Sequence, residues 1–356
     1  MDLELYKEYL KPTIGIYNKK TQDYLVEELF KNELITETVH DSKEDKDIKV
    51  IKETIKQYDN TLIGSVDEIG VPVIKYIEQW EYIREYQYSV LFESCYLEKE
   101  NIVSKISNAN LSIFNIDDAE VEEINDIISR PTVYYNDDVI ILKFSLGKRC
   151  INPDTEKELK YKYTINVVFH LNSKIVEIRY NPINGLFVDD YKGFYKKNIS
   201  AVKAWVNSYL EIKLDKFIID DVIENLKKDE SLRLEGQDMR FSDGGKACLE
   251  IGSNTSYTLP LLGELKNIID QNQEEFNKAI AIKQMLETWI ESKEEEADYL
   301  WICLCWPDIN KRKTYDVKVR FQFDYFDEGE SLLYHYSGPI GMERMNNVVQ
   351  TIIKCL

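Results

Sequence analysis

The chain has 356 residues, 64 Asp/Glu against 45 Lys/Arg and a formal net charge of −19, which excludes a surface that docks as a whole on nucleic acid or an anionic membrane. No apolar run reaches the length of a membrane span, and the charged opening "MDLELYKEYLK" lacks the apolar region of a secretory signal. The six cysteines (Cys95, Cys150, Cys248, Cys303, Cys305, Cys355) keep no framework spacing and form no CxxC, so a reduced, cytoplasmic setting without a Cys/His zinc site is expected.

Residues 1–128 read as a helical N-terminal region. "TQDYLVEELF" offers Thr21 as an N-cap. "PVIKYIEQWEYIREYQYSVLF" aligns Val73, Ile77, Trp80, Ile83 and Val90 on one stripe, with Pro72 suited to a first turn. "DDAEVEEINDII" carries its acids where a helix N-terminus favours them, and a helix is expected there too.

Residues 129–228 read as a basic three-stranded meander followed by helices. "DVIILKFSL" is apolar almost throughout, as a strand buried on both faces would be. In "LKYKYTINVVFHL", Tyr161, Tyr163, Ile165, Val167 and Phe169 alternate with Lys160, Lys162, Thr164, Asn166 and His170. A turn at Asn172-Ser173 would pair Phe169 with Val176, Val167 with Ile178 and Ile165 with Tyr180, so that the apolar faces coincide. The alternating polar face is expected to be solvated. Two helices should follow, capped by Ser200 and Asp215.

Residues 229–356 read as a C-terminal α+β domain. Two strands joined at Asp243-Gly244-Gly245 precede one helix of about 30 residues, from Leu261 to Ile290, with Leu265, Ile269, Phe276, Ile280, Leu286 and Ile290 as its stripe. "YLWICLCW", "TYDVKVRFQFDYF" and "SLLYHY" supply a second three-stranded meander, and a last helix closes the chain. The fold class is therefore α+β, with two antiparallel meander sheets packed with helices.

Chemistry is sparsely signalled. Cys303 and Cys305 lie one residue apart in an all-apolar strand, where free Cys packs as a small hydrophobe. "SDGGK" lacks the strand-loop-helix setting of a phosphate loop. His40 and His335 have no partners at nucleophile–base spacing. The charge, however, is uneven: from Lys143 to Lys216 there are 14 Lys/Arg against 8 Asp/Glu, a balance of +6 that leaves −25 elsewhere.

Within that block, "NPD" at 152–154 precedes the long strand and "VEIRY" follows on the next. The order of Asp154, Glu177 and Arg179, between helices, resembles the PD-(D/E)xK nuclease pattern, with Arg179 where that family has Lys. The resemblance implies Asp154 and Glu177 as Mg²⁺ ligands and Arg179 and His170 as further catalytic candidates. Lys160, Lys162, Lys192, Lys196 and Lys197 would then contact phosphates.

The leading expectation is nonetheless a non-catalytic interaction or adaptor subunit of a cytoplasmic bacterial assembly, without a cofactor and with a protein partner. It rests on the missing catalytic set, the charge polarity and the 24 Tyr and 5 Trp available for interfaces. A Lys/Ile/Asn/Tyr-rich composition fits an AT-rich genome, and association with an antiviral defence system rests on that composition alone. The alternatives are the metal-dependent nuclease and a sensor that binds nucleic acid through residues 143–216 without cutting it.

Overall fold

The computed structural model describes residues 1–35, 58–153, 155–240, 245–250, 262–295, 298–308, 316–327, 329–336 and 341–356. The expectations for Asp154, His40 and the Asp243-Gly244-Gly245 turn lie on or extend into positions outside the described residues. The fold is α+β and the chain forms two compact units. One comprises Met1–Gln87 with Leu91–Asp215, the other Tyr88–Val90 with Lys216–Leu356.

The first unit opens with α1 (Leu3–Ile16), α2 (Lys19–Lys31), α3 (Tyr58–Glu68) and α4 (Val71–Ile83). The cap of α2 is Asn18, whose side chain accepts from Thr21 N at 2.9 Å, so Thr21 lies inside the helix rather than at its cap. Gly70 precedes α4 at φ +78°, a conformation open to glycine, and Pro72 occupies the first turn. The expected stripe runs only to Ile83, because the chain then extends into β1 (Tyr88–Glu93), which carries Val90.

After α5 (Lys99–Asn108) come β2 (Ser112–Ile113), β3 (Thr132–Tyr135), β4 (Val139–Ile151), β5 (Glu158–His170) and β6 (Ile175–Tyr180), paired in that order. β2 and β3 are parallel and the rest antiparallel. The hairpin register is Phe169–Val176, Val167–Ile178 and Ile165–Tyr180, as the alternation requires, with Asn172 at φ +57° in the turn. The helix expected over "DDAEVEEINDII" does not form. There Asn125 instead exchanges backbone hydrogen bonds with β4, from its N to Ser145 O (3.0 Å) and from Gly147 N to its O (2.8 Å). The irregular path turns Val121, Glu122 and Ile124 inward together.

The apolar face of β4–β6 packs on α6 (Tyr191–Tyr209), with Phe144 edge-on to Trp205 and Phe194 edge-on to Tyr163. This helix starts earlier than Ser200: Asp190 is its cap, accepting from Gly193 N at 3.0 Å. The opposite face, expected to be solvated, is covered by α1, α4 and residues 121–124. Gly147 in β4 admits this cover, since a Cβ there would lie 3.0 Å from the Tyr9 ring and 3.2 Å from Ile124.

A two-residue β7 (Asp215–Lys216) stands where a helix cap was expected, and α7 runs over Asp220–Lys228. The second unit continues with β8 (Arg233–Arg240), β9 (Lys246–Glu250), α8 (Leu262–Gln271), α9 (Gln273–Lys278), α10 (Ile280–Glu295), β10 (Asp298–Trp306), β11 (Val317–Gln322), β12 (Leu332–His335) and α11 (Glu343–Cys355). Its strand order is β12-β11-β10-β8-β9, and Tyr88–Val90 of β1 pairs antiparallel with β12.

The single long helix is thus three, broken at Asn272 and Ala279. The break has a packing cause. Ile269 and Ile290 both bury against Met239 of β8, whereas an unbroken helix would separate them by roughly 31 Å. "LWICLCW" is a central strand with residues 302–306 buried.

Candidate functional site

The polar face of β4–β6 holds His170, Glu177 and Arg179 of the expected catalytic residues and lies in the protein interior. In the chain, Lys143 interrupts an apolar run. In space it and Lys162 of β5 meet Glu81 of α4 and Glu122. The Lys143 ammonium lies 3.1 Å from Glu81 and 3.2 Å from Glu122. The Lys162 ammonium is 2.6 Å from the same Glu81 oxygen, bonds to Glu122 and donates to Tyr6 Oη at 2.8 Å. Ser145 donates to Glu122 at 2.9 Å. Glu78 accepts from Glu122 N at 3.1 Å and pairs with Lys75 at 3.1 Å.

Three carboxylates therefore face three ammonium groups, and all six residues are buried. Burial alone would raise the Glu122 carboxyl, but Lys143 and Lys162 outweigh it and hold the group at about 2. A cluster of mutually paired charges of this kind fixes α1 and α4 on the sheet. Its charges are spent on each other, so it supplies neither a general base nor a phosphate clamp.

Further along the same face, Glu177 of β6 is 0% exposed and accepts from Arg179 at 2.6 Å and from His170 Nε2 at 3.0 Å. Burial would raise this carboxyl too, yet Arg179 and His170 keep it well below the usual range. Burial pushes the His170 imidazole down despite its carboxylate neighbour. Its Nδ1 has no hydrogen-bond partner among the described residues, so the neutral ring with its proton on Nε2 fits the site: a second N–H would be left unsatisfied. Asn166 donates to Glu81 O at 3.0 Å from the neighbouring register position.

These described groups do not fit a divalent cation. The one oxygen of Glu177 that has partners is shared by a guanidinium and an imidazole N–H. Among the described residues no group of three His, Cys, Asp or Glu could hold a metal ion. Asp154, the second expected ligand, is outside the described residues.

The expected phosphate-contacting lysines scatter. Lys162 is interior, and Lys160 is paired with Glu8 of α1. Lys192, Lys196 and Lys197 are exposed on α6. In the second unit, Cys303 lies 2.6 Å from Tyr336 Oη, and burial raises both thiols, that of Cys305 to about 12, so they pack as thiols. His335 is buried, 3.2 Å from Ser89 Oγ.

Sequence reading passed over Glu78, Glu81 and Glu122, although the signal existed. Glu81 follows Ile77 by four residues on the apolar stripe of α4, and a lysine inside "DVIILKFSL" demands a buried partner.

Sequence reading also passed over the outer side of α10. Leu286 and Ile290 pack inward on the Met239 cluster, while Ile282, Met285 and Trp289 are 52%, 65% and 48% exposed. Ile280, assigned by the sequence to the buried stripe, is exposed as well, because the break at Ala279 rotates it outward. The apolar arc of α10 is wider than its own unit covers. No helix among the described residues is long and apolar enough to cross a membrane. No protein-family model, curated protein or solved structure matches this chain.

Proposed function

We propose that the chain is a non-catalytic interaction protein, a subunit or adaptor of a cytoplasmic assembly, that binds a protein partner through α10. The row Ile282, Met285 and Trp289 carries the reading: a contiguous large apolar stripe faces solvent on a helix whose adjoining face is already packed. Scattered exposed apolar residues are ordinary, but spacing of i, i+3 and i+7 is how an amphipathic helix seats in a groove. Met and Trp are enriched in such contacts, and Trp most often supplies the anchor. The net charge of −19 opposes stacking a second copy on this stripe, which favours a different protein whose apolar groove has a basic rim. The free state of the cysteines supports a reducing compartment.

The test compares the chain with a Met285→Asp/Trp289→Asp variant as bait in its native host, with bound proteins quantified by mass spectrometry. A stoichiometric companion that falls at least tenfold with the variant, at unchanged circular dichroism, supports the reading. Capture that ignores the substitutions sinks it, and sedimentation showing self-association through the stripe would replace it with a homo-oligomer. Mg²⁺-dependent cleavage of DNA or RNA that a folded Glu177→Ala variant loses would overturn the non-catalytic assignment.

A further inference from the structure

A cleft of about 1000 Å³ in the first unit runs along α6, walled by the C-terminal end of α5 and by residues 126–130. Its floor is open because α6 places Ala201 and Ala204 where larger side chains would fill the groove. That volume is at the upper end of the range for small-molecule sites.

The charge around it runs against the rest of the protein. Lys148, Lys197 and Arg130 line the cleft, with Asp126 as the one carboxylate. Asp126 lies 3.7 Å from Arg149 and so is partly engaged. None of the three cations has an ion-pair partner among the described residues; Arg130 donates to the Asn110 carbonyl, which covers the negative end of α5. Lys148 occupies an apolar-face position of β4, in line with Phe144 and Leu146, and its ammonium sits over the Phe194 ring at 5.4 Å. Burial and then Lys197 both push its ammonium pKa down, more than Asp126 pushes it up. In a chain with 19 more acids than bases, three cations set against one carboxylate around one cleft call for an anion.

The far end of the cleft is aromatic. Trp205 and Tyr209 stack with centroids 5.0 Å apart and planes at 20°. Trp205 is itself fixed edge-on against Phe144, while Tyr209 is 65% exposed. A rigid stack ending in an exposed ring is a platform for another flat ring. Lys197 and Tyr209 stand roughly 18 Å apart along the helix, a span that a lone phosphate ion cannot bridge.

We propose that this cleft binds nucleotides, with phosphates held by Lys148, Lys197 and Arg130 and a base stacked on Tyr209, the ligand being an extended nucleoside polyphosphate or a short single strand. The inference is independent of the α10 surface, and it gives the basic middle of the chain a defined place to act.

Calorimetric titration of the full chain at low salt tests it with four probes: ATP, a six-nucleotide single strand, inorganic triphosphate and adenosine. Two variants accompany them, Lys197→Glu and Tyr209→Ala, both at exposed side chains. Binding of ATP or the oligonucleotide is expected, weakened about tenfold or more by Lys197→Glu, the loss of one charge-assisted contact. Tyr209→Ala should weaken those ligands by roughly tenfold and leave triphosphate affinity unchanged. The tighter of ATP and the single strand identifies the source. Absence of binding by both at millimolar concentration overturns the proposal. Nucleotide binding that neither variant changes, or that inorganic triphosphate equals with no dependence on Tyr209, overturns it as well.

Discussion

Lys143 and Glu122 illustrate the weight a single ionised group carries in this interior. Each is buried and each has two opposite charges beside it. Removing one member leaves the others uncompensated, so Lys143→Met is expected to lower the unfolding free energy by about 3–5 kcal/mol in urea titration. The same groups set a pH response. Carboxyls held low in the folded protein contribute stability above their unfolded pKa and lose it as pH falls toward the folded value. For Glu122 that window runs from the usual 4.5 down to about 2, a loss on the order of 3 kcal/mol. Glu177, also held low, adds to it. His170 adds in the same direction from higher up. Its folded pKa lies below 6.5, so the unfolded chain takes up a proton more readily as pH drops past that value. Thermal melts between pH 7 and 3 should therefore show Tm falling monotonically, and His170→Gln should flatten the portion above pH 5.

Among the elements, close approach and capping decide what forms. Gly147→Ala places a methyl group against Tyr9 and Ile124 and is expected to cost about 1–3 kcal/mol by forcing α1 off the sheet. Asp190→Ala removes the cap of the 19-residue α6 and should cost about 1 kcal/mol in the same titration. The β5–β6 hairpin was readable because alternation and a two-residue turn specify one register. The extent of α6 was not: Asp190 and Ser200 are both good caps, and only the packing of Phe194 and Tyr195 on the sheet favours the earlier start. The broken helix of the second unit followed a continuous apolar pattern, which records which residues seek burial but not that Ile269 and Ile290 seek the same neighbour. The polar face misled for a related reason. Strand alternation separates two faces but does not say whether water or a helix lies on the second, and Glu78, Glu81 and Glu122 reach it from distant parts of the chain. The cleft along α6 joins residues from 109 to 209, a proximity no local pattern encodes.

At the scale of the whole molecule, the division into two units does not follow the order of the chain. Tyr88–Val90 belongs with Lys216–Leu356, where it pairs with β12. A fragment of residues 216–356 would leave that edge of β12 bare, a template for wrong strand pairing. Size-exclusion chromatography should find the fragment aggregated, with recovery of monomer when a peptide spanning residues 86–93 is supplied during refolding. The arrangement also sets a clock during synthesis. Ser89 and its contact His335 are 246 residues apart, so at ribosomal speed the strand segment waits roughly 12–50 s for its mate. Throughout that interval the nascent chain carries an unclaimed β edge. Its yield in the cell is thus tied to translation rate and to chaperones that shelter such edges, a dependence that slowing the ribosome after residue 93 would expose.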